Sequence, residues 1–168
     1  VTLVGGGDTP EINIKGNNVS IVDGATPATL ANHTLFGTVA TNTPVVRTFT
    51  IENTGSADLV LTSPYVQLTL GSTQYTITQP TPTTISAGGS TTFSVTFNSA
   101  TAGVFDDGIE VLSNDTDEAN YSFDISATAE APTPEINIRG SFTNIVDGAT
   151  APLAADHTSF GTLATGNT

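Results

Sequence analysis

The chain has no cysteine, no methionine and no tryptophan, and only three Lys or Arg among 168 residues. Without cysteine there is no disulfide framework and no thiolate metal site or nucleophile. With three basic against 16 acidic residues, net −13, no cationic patch exists to contact phosphates. Nucleic-acid binding and anionic-membrane binding are therefore not expected. No run of about 18 apolar residues occurs, so no membrane-spanning helix or membrane insertion is expected. No segment of useful length has a 3.6-residue apolar period, so helices are not expected either. Val1 is not an initiator and no leader is visible, which reads as a fragment or processed product.

What is present is a stretch that occurs twice. Pro10–Thr43 reads PEINIKGNNVSIVDGATPATLANHTLFGTVATNT, and Pro134–Asn167 reads PEINIRGSFTNIVDGATAPLAADHTSFGTLATGN. The offset is 124 without a gap, and 20 of the 34 positions are identical. Self-similarity at a fixed period marks a repeat array, and a period near 124 residues is the size of an ordinary domain. The sequence thus divides into the end of a preceding repeat (1–9), a complete repeat (10–133) and the start of the next (134–168). A domain of that size buries about two-thirds of its surface and needs no metal or disulfide to fold.

Within the complete repeat, short segments alternate polar and apolar residues, which is the strand period. Val1–Val4 aligns with Ile125–Thr128 and reads as the end of a preceding strand. Glu11–Lys15 turns Ile12 and Ile14 inward. Ile21-Val22 is a short strand, Asp23-Gly24 a turn, and Ala25–Thr34 an irregular loop. Val45–Asn53 is a strand with Phe49 and Ile51 inward. Leu59–Thr62, Val66–Leu70 and Tyr75–Thr78 follow, and Pro80 and Pro82 then interrupt pairing, as at a sheet edge. Thr92–Phe97 turns Phe93, Val95 and Phe97 inward. Ile109–Ser113 and Tyr121–Ala127 make a last hairpin, with Val111, Phe123 and Ile125 inward, and AEAPT (129–133) is a linker. Many short strands at this spacing predict an all-β, immunoglobulin-like antiparallel β-sandwich.

At these residues the chain resembles a known family. VVRTFTIENTGSADLVLT, ISAGGSTTFSVTFNSATAG and IEVLSNDTDEANYSFDISATA are similar to the Hydin-like (ASH-type) immunoglobulin-like domains. The PEINI…IVDG opening resembles the "choice-of-anchor D" repeats of large bacterial secreted proteins. The resemblance implies a secreted or cell-surface bacterial protein whose domains are spacers and interaction modules.

The acidic residues are uneven. Seven of the 16 fall between Asp106 and Asp124. Asp115, Asp117 and Glu118 share one loop, and hard cations such as calcium take oxygen ligands. That loop lacks the glycine and the alternation of an EF-hand, and a solvated Asn/Asp turn gives the same composition. Glu110 and Asp124 fall on the outer face of adjacent strands, where like charges repel mildly and a cation or salt relieves them. His33 and His157 recur at equivalent positions, as do Asp23 and Asp147; loop and turn roles account for them. Asn18, Asn32, Asn114 and Asn120 begin Asn-x-Ser/Thr triplets, common in a chain with 32 Thr.

Nothing here composes a catalytic constellation, and no cofactor is expected; calcium at the acidic loop is the one open candidate, against a plain solvated turn. The leading expectation is a structural module of an extracellular fibre, stalk or adhesin, whose partners are neighbouring copies of the repeat. The alternatives are a glycan- or protein-binding adhesin module, which exposed aromatics would favour, and an accessory domain of a secreted enzyme. Pro134–Thr168 carries Ile136, Ile138 and Phe160 but lacks the strands that would cover them, so these three are the expected assembly interface.

Overall fold

The structure, a computed structural model, describes residues 8–162. The chain divides into two compact units, Val1–Pro132 and Thr133–Thr168, each taken by itself below. The reading of Val1–Val4 as a strand lies outside the described residues.

The first unit holds β1 (Ile12–Gly16), β2 (Val19–Ile21), β3 (Leu35–Ala40), β4 (Val45–Asn53), β5 (Leu59–Leu68), β6 (Tyr75–Thr78), β7 (Thr84–Ile85), β8 (Ser90–Phe97), β9 (Gly103–Ser113) and β10 (Asn120–Glu130). They form two five-stranded sheets, in the orders β2-β1-β4-β8-β6 and β3-β10-β9-β5-β7. This is an immunoglobulin-like β-sandwich, and the described residues contain no helix. All pairs are antiparallel except β3 with β10, which run parallel. The chain's opening segment makes that exception: β1 and β2 join one sheet, and the chain then crosses to add β3 to the other.

The strand period sets the core. Ile12, Ile14, Phe49, Ile51, Leu59, Leu61, Phe93, Val95, Phe97, Val111, Phe123 and Ile125 are all buried, as their alternation predicts. Phe49 stacks on Phe93 at 5.3 Å between ring centroids, and Phe97 lies within about 6 Å of Phe36, Tyr75 and Phe105. Buried tyrosines keep their hydroxyls satisfied. Tyr75 donates to Phe105 O at 2.8 Å, and Tyr121 donates to Ile21 O.

Four expected strand bounds need correction, and two strands, β3 and β7, are not expected from the sequence. β2 is Val19–Ile21 rather than Ile21-Val22, and Val22 is exposed. Leu59–Thr62 and Val66–Leu70 are one strand, β5, whose register against β9 slips between Leu61 and Val66; Tyr65 there has φ of 71°. β9 begins at Gly103, not Ile109, because pairing with β10 carries Asp106-Asp107-Gly108 into the ladder despite their weak strand preference. β10 runs on to Glu130, so Ala129 and Glu130 are strand rather than linker. β3 and β7 have no clear alternation to announce them.

The second unit holds β11 (Ile138–Gly140) and β12 (Thr143–Ile145). Their register, Ile138↔Ile145 and Gly140↔Thr143, is that of β1 and β2, Ile14↔Ile21 and Gly16↔Val19, shifted by 124.

Candidate functional site

The acidic site forms where the β9–β10 turn meets the start of β1. Asn114 bolts the turn to β5: its Oδ1 accepts Val60 N–H at 2.8 Å and its Nδ2 donates to Asp58 O at 3.2 Å. Asp115 bolts it to β1. Its carboxylate accepts Ile12 N–H at 2.8 Å, and the residue is only 1% exposed. Beside it, one oxygen each from Glu11, Asp115 and Asp117 lie within 4.8 Å of one another. Among the described residues this oxygen-only trio is the group whose donors suit a hard cation. Glu118 stands near enough to feel it. Burial first, and then the charges of Glu11, Asp115, Asp23 and Asp117, raise its carboxyl above the ordinary value.

Of the loop's carboxylates, Asp115 and Asp117 stand in the trio and Glu118 stands beside it; the third member is Glu11, to which nothing in the sequence points. Glu11 is about a hundred positions away, and only the placement of β1 beside the turn joins them. Glu110 and Asp124 lie elsewhere. Both point off the outer face of the second sheet, but Glu110 opposes Ser122 and Asp124 opposes Gly108. Glu110 accepts a hydrogen bond from Gln67 Nε2, so the two carboxylates are diagonal neighbours and belong to no common site. Asp107, from the same acidic run, is a buried anchor. It accepts Leu70 N–H and Ser72 N–H at 2.8 Å each, and Gly108 N–H at 2.7 Å.

The other recurring residues serve the loop. Asp23 Oδ1 accepts Ser122 N–H at 2.7 Å and ties the IVDG turn to β10. His33 has φ of 63° and donates its backbone N–H to Leu30 O at 3.3 Å. Burial and then the nearby Arg47 charge hold its imidazole below the ordinary value. In the second unit His157 has φ of 61° and its N–H meets Ala154 O at 3.4 Å. Thr34 Oγ1 accepts Thr29 N–H at 2.7 Å, and Thr158 Oγ1 accepts Leu153 N–H at 2.8 Å.

In the second unit the residues expected to form an interface are bare. Ile136, Ile138 and Phe160 are 85%, 57% and 92% exposed, and Phe142 is 97% exposed. Their counterparts Ile12, Ile14 and Phe36 are all buried. Of the three tyrosines, Tyr75 and Tyr121 are in the core with hydroxyls bound to main chain, which leaves them unable to stack on a sugar.

Fold and site together define an immunoglobulin-like β-sandwich module with an acidic end. Residues 29–129 match the family model described as "Protein of unknown function (DUF1573)". That span is more than half of the chain, and the chain belongs to this family. No curated protein matches it. Among solved structures it is similar to a protein of unknown function from Porphyromonas gingivalis W83, at 16% identity and a TM-score of 0.53 over 75% of this chain and 50% of that one. It is also similar to the ASH/PapD-like domain 7 of human CEP192, at 10% identity and 0.48, over 80% and 94%. A third is the VesB protease of Vibrio cholerae, at 13% and 0.46, over 58% and 29%. The chain spans half the length of the first and under a third of the last. At such identities the likeness concerns the fold alone.

Proposed function

We propose that the chain is a non-catalytic structural module of the choice-of-anchor D kind, from a secreted or cell-surface bacterial fibre, stalk or adhesin, with modules joined head to tail. The observation that carries this reading is the second unit. At an offset of 124 it repeats the β1–β2 hairpin, the loop hydrogen bonds and the left-handed histidine of the first. Yet it exposes the side chains that the first unit buries. A fragment this small cannot offset its own ordering entropy. Strands of the β4, β8 and β10 type must complete it, from the same polypeptide or from another copy. A head-to-tail joint whose rotation does not close builds a line.

The test is electron microscopy of the full-length product on intact cells, with an antibody to this chain. Label is expected on elongated surface structures without permeabilisation. Their length should grow by about 35–40 Å per repeat, the span of strands of about 11 residues. Label that appears only after permeabilisation, or on compact particles, overturns the reading.

A further inference from the structure

We propose that the β11–β12 hairpin of one copy can take the place of β1–β2 against β4 of a second copy of this chain. The inference rests on the array reading above and names the slot and the partner.

The slot is defined by the first unit. There β1 pairs antiparallel with β4, with Ile12 opposite Asn53, Ile14 opposite Ile51 and Gly16 opposite Phe49. The incoming segment offers Ile136, Ile138 and Gly140 at the same spacing: it reads INIRG where β1 reads INIKG, with β11 forming its last three residues. The glycine is needed in both hairpins. A Cβ at Gly16 would lie 1.9 Å from Asn32 O, and one at Gly140 would lie 1.5 Å from Asp156 O. Thus the loop that crosses over the end of the hairpin is already formed in the second unit.

The remaining contacts carry across. Lys15 Nζ reaches Glu52 Oε1 at 2.9 Å, and Arg139 occupies that position with a fork that suits a carboxylate better. Asp147 replaces Asp23, which holds Ser122 N–H. Exposed Ile138 thereby gains the cover that Ile14 already has.

The exchange is close to neutral, because the acceptor's own hairpin is displaced as the new one enters. Its extent then follows from concentration. The native hairpin is tethered to its slot at an effective concentration of the order of 1 mM. At about 0.1 mM protein, roughly a tenth of the slots should hold the hairpin of another copy.

The absence of native cysteine makes the test direct. Lys15 stands opposite Thr50 in the β1–β4 register, so after exchange Arg139 of one copy stands opposite Thr50 of the other. Two forms of the 168-residue chain, one carrying R139C and the other T50C, are mixed at about 0.1 mM, unfolded in urea, refolded together and oxidised. Opposed residues on antiparallel strands lie within disulfide reach. A mixed disulfide dimer is expected in about a tenth of the chains, well above an R139C and T73C pair, Thr73 being an exposed site outside the slot. I14A in the acceptor should raise the yield severalfold. I138A in the donor should remove it while leaving the melt of the first unit unchanged. Yield no greater than the T73C control, after refolding, overturns the exchange. Surface rods without this cross-link would leave the array reading standing, and cross-linked closed dimers without rods would do the reverse.

Discussion

Two residues show what local chemistry commits in this fold. Phe97 is about 1% exposed and touches three other aromatic rings. Phe97→Ala should therefore cost about 3–5 kcal/mol, read from urea or thermal melts; a loss under about 1 kcal/mol would mean the ring is not buried. Glu118 carries the opposite kind of information. Its raised carboxyl means that the folded state holds a proton more tightly than the unfolded chain does. The stability from that proton is fully present below the unfolded value near 4.5 and is lost as pH rises through the folded value. Glu118→Gln should accordingly raise the melting temperature at pH 7 and leave it unchanged at pH 4. Equal melts at pH 7 would show that the neighbouring carboxylates do not act on it. Alternation alone announces Phe97 as core. The charge environment of Glu118 is only half legible in the sequence, because Glu11 and Asp23 reach it through the fold.

At the scale of elements, strands with clean alternation are legible and those held only by their neighbours are not. Val45–Asn53 and Tyr75–Thr78 are read from the sequence to the residue. The first half of β9 is not, since Asp106-Asp107-Gly108 is held in the sheet by β10 on one side and by the 69–72 segment, through Thr69 and Asp107, on the other. The β9–β10 turn is legible as a cluster of oxygen donors, while its attachment to β1 through Asp115 is not. If the Glu11, Asp115 and Asp117 trio holds calcium, chelator lowers the melting temperature and Asp117→Asn removes that response. Identical melts with and without chelator leave the turn as an Asn and Asp cap of the hairpin end. The glycine pair gives a sharper contrast. Gly16→Ala must push Asn32 O away and should destabilise the first unit by about 1–3 kcal/mol. Gly140→Ala meets a similar clash in the second unit and should leave the main melt where it was.

For the whole molecule, the gapless offset of 124 residues is written in the sequence, and it places Thr168 at the position equivalent to Pro44. A chain extended after Thr168 by a second Val45–Pro132 would therefore continue in register. It should complete a second sandwich in which Ile138 and Phe160 are covered as Ile14 and Phe36 are. The measurement is calorimetric unfolding of the extended chain beside the original. At about 0.7 kcal/mol per residue near 60 °C, a second domain of this size adds roughly 90 kcal/mol of unfolding enthalpy. The expected result is that near-doubling, together with slowed amide exchange across residues 138–145. An enthalpy equal to that of the original chain, with residues 138–145 exchanging as fast as before, would contradict the claim that this segment is the head of a second module.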